Sequence, residues 1–232
     1  MVIKQNECST LHFLREVLQV VVGIATTGKR VESLARTIES LKHQVDVIHV
    51  YDNSIESVDL TDNGKFRFLE LYKEPIYYFS CDDDIIYPHN YIKETILSIE
   101  HHQCIVSYHG RILRALDVSY YQGHSAFNCL GHYPQTKRID VAGTGVCGFR
   151  TDYFNPVDIW KSTDKRMSDL VFSLEASNQG KKIMHQGHKG RWITYIEQPK
   201  GTTIWETEHQ REHRQIELAN VIFTQNKKQW TI

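Results

Sequence analysis

The sequence predicts an α/β fold, an open sheet whose strands alternate with helices. Two runs carry that reading: Val20-Val-Val-Gly-Ile24 and Ile76-Tyr-Tyr-Phe79 are β-branched or aromatic without polar alternation, the pattern of strands buried on both faces. A third observation adds the helix. Val31, Leu34, Ala35, Ile38 and Leu41 recur at helical spacing, so the first strand, a small polar loop and this segment make one βα unit.

Each early strand ends in polar residues. The first runs into Thr26-Thr-Gly-Lys-Arg30, the second, Val45 to Tyr51, into Asp52-Asn-Ser54, and the third into Cys81-Asp82-Asp83-Asp84. In an open α/β sheet the carboxyl edge is where loops part and ligands bind. Three adjacent carboxylates repel one another and attract a hard divalent cation, Mg²⁺ or Mn²⁺, which commonly bridges to substrate phosphates. The same acids also read as a solvated turn capping a helix that starts near Pro88. A loop of small residues before a helix suits a phosphate or nucleotide, and Arg30 adds a charge-assisted donor, although the loop is neither a P-loop nor G-x-G-x-x-G. Asp52 either accepts hydrogen bonds from a base or ribose or closes its strand as an Asx turn; the residues leave both open.

At 232 residues, with 27 basic and 28 acidic side chains, the chain fits one domain and carries no broad charge to draw nucleic acid or an anionic membrane. Five cysteines, odd in number and without C-x-x-C spacing, argue against a disulfide framework and a zinc cage. No apolar run approaches ~18 residues and the start lacks the order of a signal peptide, so a soluble, cytoplasmic protein is expected.

After Pro88, Ile92, Ile96, Leu97 and Ile99 form the stripe of a covering helix, and Cys104 to His109 is a further strand. The stretch from Leu116 to Arg138 is irregular; a loop so long is usually functional or mobile, and we expect the acceptor side there. Ile139 to Phe149 reads as one strand-like run whose glycines mark close approach of backbone to a ligand or another strand. Ser168 to Gly180 is a helix with Ser168 as N-cap, Asp169 in its first turn and Gly180 as its stop. An acid in a first turn helps any helix, so position alone does not make Asp169 catalytic. His185 and His188 lie three residues apart on a Gly-containing loop, where an imidazole can bind metal or simply decorate the surface. The tail from Thr203 to Phe223 is a mostly charged helix, with Trp205, Ile216, Ala219 and Ile222 available for packing.

In order and spacing, Val21-Val-Gly-Ile-Ala-Thr26 with Arg30, Val50-Tyr-Asp-Asn-Ser54, Phe79-Ser-Cys-Asp-Asp-Asp-Ile-Ile-Tyr-Pro88 and Ser168-Asp-Leu-Val-Phe172 are similar to the motifs of GT-A type glycosyltransferases. Over most of its length the chain resembles the inverting family-2 group. That resemblance implies a Rossmann-like three-layer sandwich with a mainly parallel central sheet. It implies a single domain over 1–232, with a nucleotide-binding half at about 17–110, an acceptor half at about 111–204 and a C-terminal helix at about 205–223. Asp82 and Asp84 become the outer acids of the D-x-D motif, Asp82 facing the ribose and Asp84 holding Mn²⁺ or Mg²⁺ against the diphosphate, with Asp83 between them. Thr26, Arg30 and Asp52 line the nucleotide pocket. Asp169 matches the catalytic base, with Asp164 as its rival, and His188 matches a late metal ligand, with His185 competing. The Q-x-x-R-W helix of processive membrane-bound synthases is missing, since Arg191-Trp192 follow a Gly-rich loop.

The implied activity is transfer of a sugar from a nucleotide-sugar donor, UDP-sugar favoured, to an acceptor hydroxyl, as in glycan or polysaccharide synthesis. Three other readings share parts of the pattern. A sugar-nucleotide nucleotidyltransferase would use the same acids, a metal-dependent phosphohydrolase would use Asp82 to Asp84 with His188, and a noncatalytic sugar-binding domain would need no base.

Overall fold

The computed structural model describes residues 18–198 and 212–230. Trp205 and the start of the predicted tail helix lie outside them. In chain order the elements are β1 Val20–Thr26, α1 Val31–Leu41, β2 Val47–Asp52, a 3₁₀ segment Thr61–Leu71, β3 Tyr77–Asp82, β4 Ile85–Ile86 and α2 Tyr91–His102. They continue through β5 Ile105–Ser107, β6 Gly110–Ile112, β7 Ser125–Phe127, β8 Lys137–Ile139, β9 Val141–Ala142 and β10 Val146–Arg150. A short 3₁₀ turn Ile159–Lys161, α3 Ser168–Asn178, β11 Ile183–His185, β12 Thr194–Tyr195 and α4 His213–Trp230 follow.

The main sheet has seven strands in the order β2-β1-β3-β10-β5-β11-β8. Its first three strands are parallel, in a register that sets Ala25 beside Asp82 and Thr26 beside Asp52. The expectation of a mainly parallel sheet fails beyond them. β10 runs antiparallel to both β3 and β5, β8 runs antiparallel to β11, and only β5 and β11 restore a parallel pair. The sheet is therefore mixed, and the reason is local. A parallel pairing needs a crossover that carries the chain back to the opposite edge, usually a helix. Between β5 and β10 there is no α-helix; the chain leaves β5 into the small antiparallel sheet β7-β6-β9, adds β8 antiparallel to β11 at the far edge of the main sheet, and re-enters as β10 in reverse. The run from 139 to 149, expected as one strand, is thus three short strands with a turn at 143–145.

Burial on both faces of the central strands is as their apolar runs predict. Val21 and Tyr78 point into one core with Phe66, Phe149 and Phe172, while Val22, Ile24 and Phe79 point into the other with Tyr87, Tyr91 and Ile92. The alternation is the period of two of a strand. α1 and α2 cover the second face, and the 3₁₀ segment and α3 cover the first. α4 packs on α3, joining Ile216, Leu218, Ala219 and Ile222 to Leu170 and Leu174. Ser168 is the first residue of α3 rather than its cap, which is Met167, and Gly180 follows with φ +63°. No helix among the described residues is long and apolar enough to cross a membrane. The four described cysteines are buried free thiols.

His185 ends β11 fully buried, with ring centroids of Phe127 and Tyr133 at 4.8 and 5.0 Å and, among the described residues, no hydrogen-bond partner on either ring nitrogen. Burial and the neighbouring His188 push its pKa down to about 4. The folded protein therefore keeps this ring neutral where the unfolded chain charges it, so stability is lost as pH falls from about 6.5 towards 4. Over that range the loss is on the order of 3 kcal/mol. His185→Phe should remove that part of the acid limb; urea titrations at pH 7 and pH 4.5 that show parent and variant losing equal stability would contradict it.

Candidate functional site

The ends of β1, β2 and β3 meet at the carboxyl edge of the sheet, as their shared register requires. Asp83 is the buried member of the acid triplet, and both its oxygens are committed: Thr26 Oγ1 donates to Oδ2 at 2.6 Å and Arg30 Nη1 to Oδ1 at 2.7 Å. Arg30 also reaches Asp84 Oδ2 at 3.2 Å. Burial lowers the pKa of Arg30, but Asp83 and Asp84 outweigh it and leave the guanidinium firmly charged. The loop after β1 is thus tied to the acids by Asp83, the middle residue. Asp52 stands apart, accepting Ser54 N at 2.9 Å and Ser54 Oγ at 2.6 Å in an Asx turn, while Gly28 N donates to the same Ser54 hydroxyl at 3.1 Å.

Asp82 has a partner the sequence reading passed over. Lys65, 2% exposed within the 3₁₀ segment, donates to Asp82 Oδ1 at 2.5 Å. Its pKa is pulled down by burial and pushed up further by Asp82 and Asp62, with Asp169 adding to them, so the net shift is upward. Position follows from sequence here. The hydroxyl of Tyr78 on β3 donates to the Lys65 carbonyl, and it does so directly over Gly23 of β1, where a Cβ would collide with both groups. Gly145 plays the matching part for Asp82, since a Cβ at 145 would run into its Oδ2. Tyr87 completes the frame, accepting from Asp82 N at 3.0 Å and donating to Gly145 O at 2.5 Å.

The turn at 143–145 links three candidate groups. A Cβ at Gly143 would meet the ring of His109 at 2.9 Å, Thr144 N and Oγ1 each donate to Asp169 Oδ1 at 2.7 Å, and Gly145 lies against Asp82. Ser168 Oγ braces Thr144 Oγ1 at 2.7 Å. Asp164, the rival base, forms a bidentate pair with Arg214 of α4 at 2.8 and 2.9 Å, which holds its carboxyl below the usual range. Its oxygens are occupied by structure.

Among the described residues no group of three or more His, Cys, Asp or Glu is arranged to hold a metal. His188 directs Nδ1 to Gln186 O at 2.9 Å and Nε2 to Cys129 O at 3.1 Å. The acids themselves carry the better signal. Burial and repulsion from Asp82 push the Asp84 pKa up to about 7 despite Arg30. The cluster is short of positive charge, and its free donors are hard carboxylate oxygens. A divalent ion completed by substrate phosphates needs only one or two such carboxylates; Asp84 with Asp82 fits that requirement.

Lys65, Thr144, His109 and Tyr87 were missed by sequence reasoning. For Lys65 the sequence points the other way, because the run Asn63 to Phe66 is half polar and yet every residue of it is buried. No known family model and no curated protein matches the chain. Among solved structures, the crystal structure of A197 from STIV is similar over 78% of this chain and 87% of that one, at 9% identity and a TM-score of 0.42. A likeness that weak carries no argument.

Because Asp84 binds a proton more tightly folded than unfolded, its contribution to stability is full below about pH 4 and is lost as pH rises to about 7. Asp84→Asn should cancel that decline, so in urea titrations the variant gains on the parent between pH 5 and pH 8; parallel curves would count against the raised pKa. Lys65→Met should cost about 1–3 kcal/mol, the low end for a broken buried pair because Asp82 remains 43% exposed to water. A neutral effect at pH 7 would mean that Lys65 does not hold Asp82.

Proposed function

We propose that this protein is a metal-dependent transferase that moves a sugar from a nucleotide-sugar donor, a UDP-sugar by preference, to an acceptor hydroxyl with inversion. The reading rests on the site and not on the sheet order. The observation that carries it is the turn at 143–145, which touches the acid cluster through Gly145 and the separately held Asp169 through Thr144. One reaction needs both kinds of acid. A direct displacement at an anomeric carbon uses a carboxylate to take the acceptor proton and a second, cation-loaded set at the departing diphosphate.

The roles divide accordingly. Both Thr144 bonds fall on Asp169 Oδ1, which leaves Oδ2 to accept the proton of an attacking hydroxyl. Arg30 and Lys65 fix Asp83, Asp84 and Asp82 at the donor end and supply part of the positive charge. Mn²⁺ or Mg²⁺ held by Asp84, with Asp82 beside it, would offset the charge that develops on the departing diphosphate. A single displacement inverts the configuration.

Calorimetry and a transfer assay test this together. UDP should bind with Mn²⁺ and lose that binding in EDTA or in Asp84→Ala. Asp169→Asn should bind UDP and Mn²⁺ like the parent while transfer falls by roughly 10²-fold to 10⁴-fold, the usual worth of a positioned base. Metal-independent UDP binding, or full transfer by Asp169→Asn, overturns the assignment; rapid hydrolysis of a UDP-sugar without acceptor would favour the phosphohydrolase.

A further inference from the structure

On the far side of the 143–145 turn from the acids, His109 and Arg111 lie two residues apart on the strand that enters β6. The pairing continues through both: Gly143 N donates to His109 O at 2.8 Å, and Arg111 is opposite Val141 on β9. Alternation along a strand sends residues i and i+2 to one face. Consistent with that, the charges of Asp169, Arg111 and Asp82 all act on the His109 ring, and those of Arg111 and Asp169 both act on the Tyr120 phenol. The side chains of Arg111 and His109 therefore share a strand face within electrostatic reach of the candidate base.

Arg111 is unusual for a half-buried arginine. Its guanidinium lies over the rings of Tyr120 and Tyr121, at 4.7 and 5.7 Å, and among the described residues no carboxylate comes within ion-pair distance of it. Nearby Asp140 is already used, by Leu113 N at 2.9 Å and Asn226 Nδ2 at 2.8 Å. The two rings stand at 73° to each other, so the guanidinium packs against both without lying flat on both, and one of its N–H groups is directed at the Tyr120 phenol; the remaining N–H groups can still pair with the oxygens of a carboxylate or phosphate. His109 adds a ring that, among the described residues, has no hydrogen-bond partner.

We propose that the acceptor is anionic: Arg111, packed against Tyr120 and Tyr121, and His109 bind a phosphate or carboxylate group carried by the acceptor sugar. The inference rests on the transferase reading for the word acceptor, and on Arg111 alone for the charge. Its logic is also electrostatic. An acceptor bearing a negative group would be repelled by Asp169, and the positive charge of Arg111 within electrostatic reach of that base offsets the repulsion.

Donor-free protein is titrated by calorimetry with glucose 6-phosphate, glucuronate, methyl glucoside and inorganic phosphate. One or both charged sugars should bind at least about tenfold tighter than methyl glucoside, the worth of one charge-assisted pair. Which of the two wins identifies phosphate or carboxylate as the group. Arg111→Met should abolish the preference, with UDP and Mn²⁺ binding retained as evidence of folding; Arg111→Lys, which keeps the charge but not the fork, should lose most of it. Equal binding of methyl glucoside, no binding of either charged sugar, or an unchanged preference in Arg111→Met overturns the proposal. The comparison within the parent protein needs no variant. Failure of UDP to bind, read in its own titration, counts against the transferase reading alone.

Discussion

Three consecutive carboxylates at the end of a buried strand must be neutralised or protonated, and most of the surrounding architecture answers that demand. Asp83 is covered by Thr26 and Arg30, which anchors the loop after β1. Asp82 is covered by Lys65, and a lysine that deeply buried must in turn be positioned by its backbone, hence the Tyr78 hydroxyl on its carbonyl. Asp84 receives only a share of Arg30 and is left protonatable near neutral pH. The unequal shares distinguish three residues that are chemically identical in the sequence.

The first half of the fold was legible because it obeys local rules. Non-alternating apolar runs gave β1 and β3, helical spacing gave α1, and Gly180 ended α3 with the left-handed φ its place suggests. The order of strands was not legible. A mixed sheet arises here from what the chain does between β5 and β10, and residues 108–145 have no strong period from which the missing crossover can be read. Apolar runs identify buried strands without stating their direction.

The candidate site divides along the same line. Thr26, Arg30 and the acids follow strands that the pattern locates, and the structure brings them together. Lys65 and Thr144 lie in a 3₁₀ segment and a turn, and their importance depends on partners 17 and 25 residues away. Propensity says nothing about such pairs. Asp52 forms an Asx turn through Oδ1, with the serine two residues on supplying both hydrogen bonds. Asp164 likewise serves the docking of α4, through a bidentate pair whose geometry is that of a structural clamp.

Gly23 has a consequence for how the sheet assembles. The crossing of the Tyr78 hydroxyl to the Lys65 carbonyl occupies the space where a side chain would begin, and of the residues from Val20 to Thr26 only Gly23 leaves that space open. If β3 slid along β1 by one residue, Val22 or Ile24 would stand beneath the tyrosine; a slide by two, which preserves the faces, would bring Val21 or Ala25 there. Each carries a Cβ. The notch works as a key for alignment, so an apolar pair of strands that would otherwise pack about equally well in neighbouring alignments is confined to the single one that sets Ala25 beside Asp82.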